Sequence, residues 1–240
     1  MNGKHYYAKI FSNVEEICTS KVFEIPETDT YLVNSLQLML EHLLKTGRSI
    51  TVLMESEFVG QAAVLMRTLF ETAIRFHYIV SEKQHFNERM NYYLANKEYL
   101  NKYVSDLRII FKENIDKVKD FEKLLTTDHS EEMAALGICE DSLVKEPAFI
   151  KKIEAYGFRE HYLLYYRKFS QYVHGNFHIV SIKFDERDYK SLINDIYVCG
   201  CFCWTLIFGA LNNFCNLNMI KKYKAMEKDF RKIFKFYLPK

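Results

Sequence analysis

Apolar residues recur every three or four positions along most of the chain, the spacing that places them on one face of a helix. A first helix is expected around Ala8 to Thr19. After the turn IPETDT a second runs from about Tyr31 to Lys45, with Pro26 and the acidic and threonine residues after it as start signals and Gly47 as the expected stop. A longer, more apolar run follows from Glu55 to Val80. Periodicity resumes at Phe86 and holds to about Leu125, where Lys112, Glu113, Asp116, Lys117, Lys119 and Asp120 mark a solvated face.

Between Thr126 and Pro147 the period fades, and a loop with a short helix inside it is expected, a place for a variable or partner-binding insertion. Helical signal returns at Phe149 to Ala155 and again from Arg159 to His174, with Gly175 as a C-terminal cap. A brief extended-looking stretch, HIVSIKF, separates this from a helix that begins in DERDYKSLINDIYV and continues through CGCFCWTLIFGALNNF. The pattern predicts an all-α, single-domain helical bundle of six to eight helices spanning 1–240. Within it, residues 1–50 form the N-terminal helices, 51–217 the core and 218–240 a basic amphipathic C-terminal helix.

Composition agrees: 3 Pro and 8 Gly in 240 residues disfavour a turn-rich β architecture, and 49% hydrophobic residues exclude disorder over most of the length. The 17 Tyr and 19 Phe point to thick helix packing or a surface for self-association, so a homodimer is expected. A formal net charge of +2 gives no global field for nucleic acid or an anionic membrane, so any such contact must be local. The local candidate is the terminal segment, where Lys221, Lys222, Lys224, Lys228, Arg231, Lys232 and Lys235 alternate with Phe230, Phe234, Phe236 and Tyr237. It reads as a solvated amphipathic helix, with phosphate or membrane contact as the alternative.

Six cysteines lack the spacing of a disulfide framework, and no charged stretch followed by an apolar one opens the chain, so a cytoplasmic home is expected. Cys199, Cys201, Cys203 and Cys215 read as small buried hydrophobes rather than metal ligands, and no metal or cofactor is expected. The run from Tyr197 to Asn216 approaches the length of a membrane span. Asp195 before it and Asn212, Asn213 and Asn216 at its end favour a buried core helix over a membrane-attached protein.

Gly-rich phosphate loops, nucleophile elbows and zinc-hydrolase signatures are absent, which leaves two polar constellations. In LMRTLFETAIRFHYI, Arg67, Glu71 and Arg75 recur every four residues on an otherwise apolar helix. This is either a surface stripe or a set of charges that need a partner on another helix. In YYRKFSQYVHGN, Glu160, Leu164, Arg167, Ser170, Gln171 and His174 share one face, opposite Tyr162, Tyr165, Phe169, Tyr172 and Val173. Arg167 is a permanent cation that can fork onto phosphate oxygens, and His174 titrates near neutrality. Two turns separate them, about 10 Å along the axis. The pair could span a phosphodiester if a second copy or the Arg67/Glu71 helix closes the site. A capping histidine beside a solvent-facing arginine fits the same spacing.

The Arg-x6-His element RKFSQYVH on a late helix resembles the HEPN superfamily. MRTLFETAIRFHYI followed by YRKFSQYVHGN also looks like a bacterial family of unknown function with Arg-x-x-x-Glu and Tyr-Arg-x-x-Ser-x-x-x-His-Gly elements, over about Ser56 to Phe214. The superfamily resemblance implies a HEPN-like core and a dimeric, metal-independent endoribonuclease, often a toxin or antiviral defence effector with a neutralising partner protein. It would bind RNA, with His174 as general acid or base at the 2′-hydroxyl and Arg167 stabilising the phosphorane. Ser170, Lys168, Arg67 and Glu71 would bind substrate or support the site. The alternative is a non-catalytic helical interaction module in which Arg67, Glu71, Arg167 and His174 form a structural network.

Overall fold

In the computed structural model, which describes residues 3–19, 30–95, 119, 147–173, 186–215 and 219–237, apolar periodicity becomes eight α-helices and no strand among those residues. They are α1 (Gly3–Thr19), α2 (Thr30–Glu55), α3 (Val59–Val80), α4 (Phe86–Ala95), α5 (Phe149–Ala155), α6, α7 (Glu186–Phe214) and α8 (Ile220–Tyr237). Helix α6 is continuous through three parts, Arg159–His161, a π-helical turn Tyr162–Tyr166, and Arg167–Val173. The expected all-α class is the one observed.

The chain divides into two compact units, one of Met1–Lys83 with Pro147–Lys240 and the other of Gln84–Glu146. In the second unit α4 carries buried Phe86 and Met90, and His85 and Glu88 pair at 3.2 Å. The remainder of the run expected to reach Leu125, and the expected loop from Thr126 onward, lie outside the described residues apart from Lys119.

The first unit is built around α7, which packs against α1, α3 and α8, while α3 also packs against α2 and α6. Helix α7 is apolar on every side in its middle, and every residue from Ile196 to Thr205 is buried. An all-round apolar helix must be covered by other helices or by lipid. Here the protein supplies the cover, for 78% of the most apolar window of Arg187–Phe214 is buried inside the fold. Cys199, Cys201, Cys203 and Cys215 are all buried and unbridged, consistent with their use as small apolar side chains.

Two boundaries differ from expectation. Helix α1 begins at Gly3 rather than near Ala8, because Tyr7 is itself core, 2% exposed and against the Tyr197 ring at 5.7 Å. Gly47 does not stop α2, which continues to Glu55. A Cβ at Gly47 would overlap Trp204 Cζ2 and stand 2.9 Å from Phe11 Cε2, so the glycine admits the indole against the helix backbone. The actual reversal lies at Ser56 and Glu57, with Glu57 at φ 62°.

Helix α8 starts at Ile220, as the pattern predicts, and buries Met226. Its charges are matched by α1: Lys222 Nζ lies 2.9 Å from Glu16, and Lys9 lies 2.8 Å from Asp229. The side chains of Lys232, Phe234, Lys235, Phe236 and Tyr237 lie outside the described residues.

Candidate functional site

Helix α3 is almost wholly buried, with Leu69, Phe70, Ala73 and Ile74 fully so, and a charge on such a helix needs a partner. Arg67 and Glu71 find one another and a third group. Arg67 Nε donates to Glu71 Oε1 at 3.2 Å, and Arg67 Nη2 donates to the Tyr166 hydroxyl at 3.2 Å. That hydroxyl donates in turn to Glu71 Oε1 at 2.5 Å. The guanidinium also sits 5.1 Å from the centre of the Tyr166 ring, in cation–π range.

The three side chains thus form a closed ring of hydrogen bonds between α3 and α6. Burial pushes the Tyr166 phenol above its ordinary pKa, and the bond it donates to Glu71 adds to this because ionisation would break it. Burial opposes the charge of Arg67. Its bonds to Tyr166 and Glu71 outweigh that cost and leave it more firmly protonated than usual. The partner expected on another helix is therefore a tyrosine.

Tyr166 holds this position through an aromatic stack and a local change in helix geometry. Its ring lies 5.0 Å from Tyr162 in near-parallel stacking, 5.1 Å from Phe149 and 5.8 Å from Phe70. The π-helical turn that ends at Tyr166 widens the helix just before Arg167.

After it the polar face expected for this helix is present. Glu160, Leu164, Arg167 and Gln171 are exposed, Ser170 is half-buried, and Tyr165 and Phe169 face the core. Val173, expected on the core face, is 42% exposed.

Lys168 forms an ion pair with Asp195 on α7. Burial raises the Asp195 carboxyl pKa above the usual range even though the ammonium opposes the shift. Ser170 Oγ donates to the Tyr166 carbonyl at 2.8 Å, the back-bond open to any helical serine. Arg167 stands between these anchors, exposed, with no ion-pair partner among the described residues. Arg75 is likewise on the exposed side of α3. His174 and Gly175 lie outside the described residues.

Of the residues singled out in the sequence, the structure joins Arg67 with Glu71, fixes Lys168 to α7, and leaves Arg167 outward. Tyr166 was not among them, although two charges on an apolar helix call for a hydroxyl or a counter-charge opposite, and this tyrosine directly precedes the arginine. No group of three or more His, Cys, Asp or Glu side chains able to hold a metal occurs among the described residues.

Together these features define an all-helical protein in which one helix is clamped on both sides of a single outward cation. The chain belongs to the family described as "Family of unknown function (DUF5677)", which matches residues 35–191, from within α2 into the start of α7. No curated protein and no solved structure matches it.

Proposed function

We propose that this protein is a HEPN-like, metal-independent endoribonuclease, dimeric and cytoplasmic, of the kind that serves as a toxin or antiviral effector and is restrained by a partner protein. The observation that carries the reading is the placement of Arg167. Its neighbours are committed, Tyr166 to Arg67 and Glu71 and Lys168 to Asp195, so the backbone between them is fixed while the guanidinium stays in solvent. A preorganised cation of this kind suits an anion that gains charge during reaction.

In this reading Arg167 binds the scissile phosphate of RNA and stabilises the phosphorane. His174, two turns further along, takes the proton of the 2′-hydroxyl or protonates the leaving 5′-oxygen. The 2′-oxygen attacks phosphorus, the P–O5′ bond breaks, and the products are a 2′,3′-cyclic phosphate and a 5′-hydroxyl. Arg67, Glu71 and Tyr166 act as positioning residues. Leu163 and Leu164, exposed on the same helix, supply apolar surface for a second copy.

The closed Arg67–Glu71–Tyr166 ring favours a second reading, a non-catalytic interaction module whose polar network is structural. One experiment separates the two. Wild type, Arg167→Ala and His174→Ala are incubated with mixed RNA in EDTA, and fragment length and cyclic-phosphate ends are followed. Cleavage by the wild type and by neither variant, all three sharing one thermal transition, is the expected result. No cleavage by the wild type, or equal cleavage by all three, overturns the nuclease reading.

A further inference from the structure

The buried threonine of α7 opens a separate line. Thr205 is 6% exposed and its hydroxyl has no hydrogen-bond partner among the described residues. An unsatisfied buried hydroxyl is uncommon, because its desolvation is uncompensated. Thr205 lines a cavity of about 400 Å³ bounded by α3, α6, α7 and α8, within the range of about 300–1,000 Å³ typical of small-molecule sites. Most of the wall is aromatic. His161 stacks on Phe202 at 4.1 Å, Phe158 meets the same ring edge-on at 5.1 Å, and Phe230 closes on it at 5.9 Å.

The charge lining the cavity is cancelled. Glu227 accepts hydrogen bonds from Arg231 at 2.6 and 3.1 Å, so neither is left to attract a counter-ion. His161 is neutral at physiological pH, since burial pushes its pKa down to about 4. Flat aromatic walls favour another ring in offset or edge-on contact, and a lone hydroxyl favours one polar atom on that ring. We infer that this cavity is a binding site for an uncharged, flat heteroaromatic molecule whose ring atom hydrogen-bonds to Thr205. The inference does not rest on the ribonuclease reading and does not use Arg167 or His174.

Quinoline and naphthalene form a matched pair of probes, alike in shape and differing by one ring nitrogen. Binding to the full chain is read by ligand-observed NMR at neutral pH. The wild type is expected to bind quinoline saturably. Thr205→Val should weaken quinoline on the order of fivefold and leave naphthalene unchanged, and Leu206→Trp, which fills the cavity, should abolish binding of both. The inference is overturned by absence of saturable quinoline binding to the wild type, or by binding that survives Leu206→Trp. Should the tryptophan variant fail to fold, Thr205→Val decides: a selective loss of quinoline affinity supports the site, and an equal effect on both probes, or on neither, overturns it.

Discussion

The Tyr166 hydroxyl and the Glu71 carboxylate meet at 2.5 Å across ninety-five residues of sequence, the shortest polar link between α3 and α6 described above. A hydroxyl bonded to a carboxylate is charge-assisted, and removing it leaves Glu71 with one donor fewer. Tyr166→Phe keeps the ring stack and deletes only this link, so it should lower stability by about 1–2 kcal/mol. Chemical denaturation of Tyr166→Phe, Glu71→Gln and the double variant provides the check. The double variant should lose clearly less than the sum of the singles, and strict additivity would show that the two groups are not coupled.

Gly47 supplies a prediction opposite in sign to helix propensity. Alanine in a helix interior is ordinarily favoured over glycine by about 1 kcal/mol. Here the new methyl group would meet Trp204 and Phe11, both in the core. Overpacking of this kind costs about 1–3 kcal/mol, so Gly47→Ala should be destabilised on balance. A gain in melting temperature would show that the indole can move aside.

Asp195 gives a pH dependence with a definite sign. Burial raises its folded-state pKa above the unfolded value of about 3.9. The folded protein therefore holds this proton more tightly than the unfolded chain, and the associated stability is present at low pH and lost as pH rises through the folded value. Comparing wild type with Asp195→Asn from acid to neutral pH should show the wild type losing ground above about pH 4. A constant difference across that range would place the carboxylate in effectively open water.

His161 acts in the other direction. Its folded pKa of about 4 lies below the ordinary 6.5, so the stability tied to the neutral ring is present above 6.5 and lost as pH falls toward 4. The span corresponds to about 3 kcal/mol at most. His161→Phe keeps a flat ring and should flatten the acid limb of the stability profile between those two values, as followed by thermal melts in a pH series. An unchanged limb would show that other groups govern acid unfolding.

Much of the fold was legible because helical period is a local property. The ends of α3 at Val80, α5 at Phe149 and Ala155, and α8 at Ile220 all fall where apolar spacing and breaker residues place them. Gly47 was misread because its role is set by Trp204, more than a hundred and fifty residues away, and no local signal distinguishes a glycine that ends a helix from one that lets an indole approach. The site was half legible. Arg67 and Glu71 stood out as charges on an apolar helix, and Arg167 as a cation on a polar face. Tyr166 did not, since an ideal 3.6-residue period assigns it to neither face and the π-helical turn that aims it is not a property of residue type.

That turn also makes the helix sensitive to length rather than to composition. A π turn accommodates one residue more than the surrounding α-helix would, so deleting a single residue between Tyr162 and Tyr166 would restore the regular winding and rotate everything beyond it by about 100°. Arg167 and Lys168 would then exchange surroundings, and the cation now in solvent would turn toward α7. Substitutions along this stretch change one contact at a time, whereas a one-residue insertion or deletion rewrites the whole outward face, which makes the segment a frame-setting element in the evolutionary sense.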